Sequence, residues 1–282
     1  MMKKNINYLT ILSLLFFFIL IFKYNNLIKM SIINSCVLWF KTLVPSMFIM
    51  YLIVDLLLNY GLAKIVYNLF KTNAVILIII SLLLGTPANA KYIKEFYLKG
   101  LIDEKCANRL LVFSYSPNPL FVLAIMPNKK WALISLLFIY FTNFVLAIFM
   151  LKNIKNSLTN ISFIEHKHFT ECVEESIYKS FKLLILVLGI IMFYGVINSL
   201  IDKVLPNTSL IIKCILELTN ALNIIVGTGN YKWALLAISF GGLSIHTQIK
   251  SILEDTPLQY KYFFYGRLLA SLISLVLIFL VR

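Results

Sequence analysis

The sequence predicts an all-α integral membrane protein that crosses the bilayer several times. Hydrophobic residues make up 60% of its 282 residues and charged residues only 13%, and the mean hydropathy is +0.88. Soluble domains are nearer half apolar and about a quarter charged, so a soluble core does not accommodate this composition. Backbone groups in lipid must be satisfied within their own segment, which predicts that the spans are helical.

Five apolar runs approach the roughly 20 residues that cross the hydrocarbon core. They are residues 6–22, 43–58, 131–151, 181–201 and 262–281. The first run follows Lys3 and Lys4 and has no small-residue cleavage site. We therefore interpret it as a retained anchor, and the two lysines predict a cytoplasmic N-terminus.

The net charge of +14 does not indicate a nucleic-acid partner. Most lysines lie at the ends of apolar runs, where their side chains reach anionic headgroups, and no zinc-finger or helix-turn-helix pattern accompanies them. The predicted partner of these charges is the lipid bilayer. Four cysteines (Cys36, Cys106, Cys172 and Cys214) are scattered without metal-binding or redox spacing. Because no catalytic motif occurs either, we predict no enzyme activity, cofactor or metal site.

A hydrophilic segment divides the chain into two halves. We predict an anchor at 1–30, a first repeat at 31–151, a linker at 152–176 and a second repeat at 177–282. Residues 84–94 match 240–250, and Arg109-Leu110-Leu111 matches Arg267-Leu268-Leu269. This correspondence predicts two inverted repeats, each with a re-entrant hairpin and a broken helix. His166 and His168 in the linker are interpreted as solvated residues.

Two apolar runs end abruptly at glycine or proline. Residues 75–84 stop at Gly85 and Pro87, and residues 233–240 stop at Gly241-Gly242. Proline removes a helical donor and glycine loosens the backbone, so both helices should break within the membrane. We predict that 85–90 and 241–246 are hairpin tips that face each other near mid-membrane, as at the binding sites of transporters.

A third interruption lies at Ser114-Tyr115-Ser116-Pro117-Asn118-Pro119, after a helix that should begin at Asp103. The two prolines release carbonyl groups that, with the neighbouring polar side chains, would line a cavity at membrane depth. The alternative that this helix simply ends at a surface loop remains open, because proline commonly follows a helix.

Two acids interrupt apolar sequence, Asp55 and Glu217. An unpaired charge at a helix centre costs at least about 2.5–3.5 kcal/mol on insertion scales, so each acid needs a partner or water. We predict that Glu217, together with Asn220, contacts substrate or a coupling ion. An ion pair with Lys213, four residues earlier, is the structural alternative.

Residues 85–121 and 240–253 resemble the YlbJ-type sporulation integral membrane proteins, also called SpoVV, which carry Gate or nucleoside-recognition domains. The resemblance extends from about residue 35 to residue 281. Thr86 and Asn89 depart from it, since an aromatic residue and a glycine are expected at these positions. The resemblance implies a fold like the transport core of concentrative nucleoside transporters. It also implies movement of dipicolinic acid across the outer forespore membrane of a bacterium.

A carrier of such an anion needs positive potential and an apolar or aromatic wall. Candidate cations are Lys91, Lys94, Lys250, Arg109 and Arg267, and the alternative that each is an interfacial anchor remains open. The predicted substrate-binding residues are Gly85, Thr86, Pro87, Asn89, Lys91, Arg109, Ser116, Asn118, Glu217, Asn220, Gly241, Gly242, Ser244 and His246. A non-transporting membrane scaffold for spore assembly is the alternative function. The coupling ion and a homo-oligomeric state are left open by the sequence.

Overall fold

A computed structural model describes residues 7–151, 168–205 and 210–280. Within these ranges the regular elements are helices and no strand occurs, which confirms the all-α class. Four helical segments are long and apolar enough to cross a membrane, judged by length and composition: Asn25–Asn59, Lys129–Met150, Phe169–Val204 and Tyr260–Leu280.

The N-terminal part of the fold is a short apolar helix followed by a long one. Helix α1 (Tyr8–Lys23) has 16 residues, none of them buried. Helix α2 (Asn25–Leu38) continues through one π-helical turn (Trp39–Leu43) into α3 (Val44–Asn59). The run predicted at 43–58 is therefore the second part of a 35-residue helical segment.

The first hairpin follows a short helix, α4 (Leu62–Phe70). It consists of α5 (Asn73–Leu84) and α6 (Ala88–Leu98). Gly85 ends α5 with φ +71° and ψ −173°, a conformation essentially restricted to glycine, and Pro87 precedes the first residue of α6. The predicted break at 85–87 is confirmed.

The predicted interruption at 114–119 also separates two helices. Asp103 caps α7 (Glu104–Val112) by accepting from Cys106 N at 2.7 Å, as predicted. Asn118 caps α8 (Pro119–Ile125) by accepting from Phe121 N at 3.1 Å. The long helix α9 (Lys129–Leu151) follows.

The second half begins with the 36-residue helix α10 (Phe169–Val204), so residues 169–176 of the predicted linker are helical. Residues 152–167 of that linker, including His166, lie outside the described residues. Helices α11 (Leu210–Leu216) and α12 (Leu218–Thr228) follow, and then the second hairpin, α13 (Lys232–Phe240) and α14 (Gly242–Leu253). The chain continues into α15 (Tyr260–Leu280), which has no interruption.

The two halves differ in the order of their interruptions. In the first half the hairpin precedes the broken helix α7–α8. In the second half the broken helix α11–α12 precedes the hairpin, and α15 is continuous although its Arg267 matches Arg109 of α7.

Helix α15 crosses α7 in close contact, because a Cβ atom on Gly266 would lie 1.8 Å from the Val112 carbonyl oxygen.

Candidate functional site

Both hairpin tips and both helix breaks line one cavity of about 40 Å³. The first tip contributes Thr86 and Pro87, and the second contributes Ser244, Ile245 and Gln248. The first break contributes Tyr115, Pro117 and Asn118, and the second contributes Glu217 and Thr219. The two predicted tips therefore meet, although they are more than 150 residues apart in the sequence.

The cavity lies level with the middle of two of the longest helical segments. Leu43 and Met47 line it from the segment Asn25–Asn59, and Val187 and Ile191 line it from Phe169–Val204. All four residues are near the centres of these segments. If the segments span the bilayer, the cavity is close to the bilayer midplane.

Hydrogen bonds hold the first tip against the first break. Thr86 N donates to Ser116 O at 3.0 Å, and Asn89 Nδ2 donates to Ser114 O at 2.5 Å. Asn118 Nδ2 donates back to Leu84 O, the last carbonyl of α5, at 3.4 Å. Two carbonyls of the first break, those of Ser114 and Ser116, are thus bound by the first hairpin.

Close backbone packing accompanies these bonds. A Cβ atom on Gly85 would lie 2.5 Å from Asn118 N and 2.8 Å from Ser116 O. Only glycine permits this approach, and its positive φ independently disfavours any other residue. The glycine of the first tip is therefore required by both conformation and space.

Glu217 forms the second break. It is 1% exposed and is the N-cap of α12, where its carboxylate accepts from Asn220 N at 2.7 Å and from Thr219 N and Thr219 Oγ1, each at 2.9 Å. Lys213 instead pairs with Asp202 at 2.9 Å, so the alternative ion pair with Glu217 is wrong. The side chain of Asn220 lies near Gly195 of α10 and does not line the cavity.

The second tip packs against the second break, as the first tip packs against the first break. A Cβ atom on Gly242 would lie 3.0 Å from Leu218 N and 3.3 Å from Glu217 N. Its neighbour Gly241 packs against the ring of Tyr115, because a Cβ atom on Gly241 would lie 3.0 Å from that ring. The second tip thus lies between the two breaks.

Four helices begin at this cavity: α6, α8, α12 and α14. Asn118 and Glu217 cap α8 and α12, whereas α6 and α14 have no side-chain cap. A helix N-terminus carries a partial charge near +0.5 and free N–H donors, so it attracts anions. No lysine or arginine is among the described lining residues, so the positive charge at this cavity comes from the helix N-termini and faces the carboxylate of Glu217.

A buried cation stands behind the cavity wall. Arg267 is 0% exposed, and its guanidinium carbon lies 4.7 Å from the ring centroid of Tyr115. It donates to Asn143 Oδ1 at 3.0 Å and to Val112 O, at the C-terminus of α7, at 3.4 Å. Asn143 in turn donates to Ser116 Oγ at 3.1 Å, which connects Arg267 to the first break.

Nine of the fourteen predicted site residues are not among the described lining residues. Gly85, Asn89, Ser116, Gly241 and Gly242 belong to the tips and to the first break, and Asn220 lies near Gly195. The other three, Lys91, Arg109 and His246, have partners elsewhere. Lys91 pairs with Glu95 at 3.7 Å, and Arg109 donates to Met150 O at 3.2 Å. His246 faces α15, where Nδ1 contacts the hydroxyl of Tyr260 at 2.7 Å while Nε2 contacts Phe240 O at 3.1 Å. Because Phe240 O only accepts, Nε2 of His246 is the protonated nitrogen.

Asp55 belongs to a separate polar cluster that joins three helices. Its carboxylate accepts from Ser176 Oγ at 2.8 Å and from Tyr92 Oη at 3.2 Å. Lys179 Nζ lies 3.5 Å from the same carboxylate. The partner that the sequence requires for Asp55 is thus supplied by α6 and α10.

The cavity is closed to an organic solute in this conformation. Cavities that bind an aromatic ring are on the order of 150 Å³, whereas this one has room for a few water molecules. Admission of a ring requires the tips to separate.

The predicted site did not include Gln248, Thr219, Tyr115 and Asn143. Tyr115 had a local signal because it lies inside the recognised break, and Thr219 had one because it lies between the predicted Glu217 and Asn220. Gln248 and Asn143 had none.

These features define the class of the protein, an all-α integral membrane protein with several apolar helices. The chain is similar to the sporulation integral membrane protein YlbJ of Bacillus subtilis (strain 168), with 20% identity over 86% of this chain and 74% of that protein. No family model and no solved structure matches the chain.

Proposed function

We propose that this chain is a transporter-like membrane protein of sporulation that moves a small organic anion through the cavity between the two hairpins. Dipicolinic acid, moved across the outer forespore membrane, is the favoured solute on family resemblance. The observation that carries the proposal is the convergence of four helix N-termini on one cavity level with the middle of two long helical segments.

The cost of broken helices in lipid supports a polar pathway at this position. Unsatisfied backbone groups are tolerated at membrane depth only where they are buried in protein or line a cavity. The N-terminus of α12 already binds one carboxylate, that of Glu217. The uncapped N-termini of α6 and α14 offer the same chemistry to the carboxylates of a solute, with Tyr115 and Phe121 as an aromatic wall.

The proposed architecture is a pair of inverted repeats whose hairpins are re-entrant. Its support is that both tips reach the same cavity and that the hairpins contact each other directly. Lys94 of α6 donates to Ile252 O of α14 at 2.7 Å and lies 3.6 Å from Asp255. In this proposal the protein is a carrier with no enzymatic step, and solute enters when the two tips separate.

Uptake into liposomes tests the proposal. Wild-type protein should show saturable uptake of radiolabelled dipicolinate. Ser244→Val should reduce uptake at least tenfold, because it places an apolar side chain at the N-terminus of α14 inside the cavity. Ser251→Val is the matched control on the exposed side of the same helix and should leave uptake unchanged.

Two outcomes contradict the proposal. Equal uptake by the two variants, at matched protein levels in the liposomes, would show that the cavity is not the solute site. Wild-type protein without saturable flux of dipicolinate would favour the non-transporting scaffold.

A further inference from the structure

Glu217 is a buried carboxylate whose counter-charge is not a neighbouring side chain. Among the described residues it forms no ion pair, and its carboxylate is held by the N–H groups of Thr219 and Asn220 and by the Thr219 hydroxyl. Burial opposes the charge of this carboxylate, and these three donors stabilise it against that cost. The charge of Glu217 is therefore balanced by the N-terminus of its own helix.

The ionisable groups on the helices packed around Glu217 are directed elsewhere. On α11, Lys213 pairs with Asp202 of α10. On α14, His246 contacts Tyr260, and Lys250 is exposed. Lys232 lies at the opposite end of α13 from the tip, and on α10 the described lining residues are Val187 and Ile191. Arg267 stands behind the ring of Tyr115.

A second polar group of the cavity, unlike Glu217, lacks a hydrogen-bond partner. The hydroxyl of Ser244 is 1% exposed and forms no hydrogen bond within the part of the chain that the structure describes. It lies in the first turn of α14 and lines the cavity together with Glu217. A buried hydroxyl without a partner is costly, so this hydroxyl is available to water or to a ligand that enters the cavity.

We propose that Glu217 takes up one proton when the carboxylate of a solute enters the cavity, so that anion movement is coupled to a proton. This inference rests on the proposed function. After the tips have separated to admit the solute, a solute carboxylate at the N-termini of α6 and α14 lies beside Glu217, which lines the same cavity as Ser244. Two carboxylates so placed cannot both remain ionised, and they share a proton.

The step is balanced without any further reactant. A proton from the side of solute entry forms an O–H bond on a Glu217 oxygen, and no bond of the solute is made or broken. When the anion leaves, the proton returns to water, and Thr219 and Asn220 again stabilise the carboxylate. Ser244 hydrogen-bonds the solute carboxylate in the loaded state.

Calorimetry of dipicolinate binding tests this coupling without requiring flux. The purified protein is titrated at pH 7 in two buffers that differ in ionisation enthalpy, which gives the number of protons taken up per anion bound. Free carboxylic acids have pKa values near 4, so at pH 7 the solute arrives ionised and any proton bound is taken up by the complex. Wild-type protein and Glu254→Gln, an exposed control, should take up about one proton.

The variant Glu217→Gln should bind dipicolinate without proton uptake, because its amide retains an oxygen for the α12 cap but does not titrate. Binding by wild-type protein with no proton uptake would overturn the inference, as would the same uptake in Glu217→Gln. Should this variant fail to fold, wild-type liposomes containing a pH dye provide the second measurement. At zero membrane potential, inward dipicolinate flux should acidify the lumen.

Flux that depends on Na⁺ and leaves the luminal pH unchanged would overturn the proton assignment while leaving the proposed function intact. Absence of both dipicolinate binding and flux would contradict the proposed function itself. The two failures are therefore distinguishable.

Discussion

The two hairpins meet at one cavity but are held there in different ways. The first tip is bound from outside, by hydrogen bonds between Thr86 or Asn89 and the carbonyls of the neighbouring break. The second tip is bound by His246, which contacts the last carbonyl of α13 within the hairpin and the hydroxyl of Tyr260 at the start of α15. The tip itself touches the breaks through glycine, by van der Waals contact.

This difference indicates which hairpin moves. Separating the first tip from its break requires several hydrogen bonds to be broken in a buried site. Separating the second tip from Glu217 and Tyr115 breaks no described hydrogen bond between those residues and the tip. Hydrogen bonds that tie α14 to its neighbours lie behind the tip, from Thr247 to Tyr194 and from His246 to Tyr260, each at 2.7 Å. We expect the second hairpin to open the cavity and the first to remain with the scaffold.

The largest expected effect comes from adding a methyl group at the tips. Gly85→Ala should destabilise the protein by more than about 2 kcal/mol, because it combines backbone strain with overpacking against Asn118. Gly242→Ala should cost less, since its nearest atom is at 3.0 Å and not at 2.5 Å. Thermal unfolding in detergent micelles measures both.

Gly229→Ala is the control for backbone strain, because Gly229 has φ +70° with nothing within 4 Å of an added Cβ atom. It should be the mildest of the three substitutions. A larger loss of stability for Gly242→Ala than for Gly85→Ala would contradict the prediction, because it would mean that the second tip is more closely packed than the first.

A smaller effect is expected from removing the two hydrogen bonds of the His246 ring. His246→Phe keeps an aromatic ring in place but leaves the Phe240 carbonyl without this donor, at a cost of about 1–3 kcal/mol. Tyr260→Phe removes only the other bond of the imidazole and should cost about 1 kcal/mol or less. If unfolding measurements rank the two variants in the opposite order, the Nε2 contact is not what holds the turn.

The smallest effect is a difference in labelling rate between the tips. In a background with the four native cysteines replaced, Ser244→Cys should react with a maleimide about tenfold faster than Thr86→Cys, because only the second tip leaves its break readily. The cysteine-free protein supplies the baseline. Equal rates, or faster labelling at position 86, would remove the basis for a mobile second hairpin.

The sequence predicted the tips because their signals are local. Gly85, Pro87 and the Gly241-Gly242 pair interrupt apolar runs through their own backbone properties, and each lies at a helix end in the structure. The prolines and polar residues around Asn118 also predicted a break from their own backbone and side-chain properties. Each of these residues acts on its own neighbours in the chain.

The remainder of the site depends on distant partners. The break at Glu217 has no glycine or proline beside it in the sequence. The Glu217 side chain caps α12, and Gly242 of the second hairpin packs against the first residues of that helix. Lys91 and Arg109 were predicted to bind the solute because they are positively charged. In the structure neither lines the cavity, and helix N-termini lie there instead. The contact of Arg267 with Asn143 joins positions 124 residues apart, which no local pattern reveals.

The buried position of Arg267 has a consequence for biogenesis. A lone arginine is unfavourable at a helix centre during insertion, by about 2.5–3.5 kcal/mol on translocon scales. Its described partners, Val112, Asn143 and Ser239, all precede it in the chain. During synthesis, α7, α9 and α13 therefore emerge from the ribosome before α15, and the acceptors for its guanidinium are already made when α15 enters the bilayer.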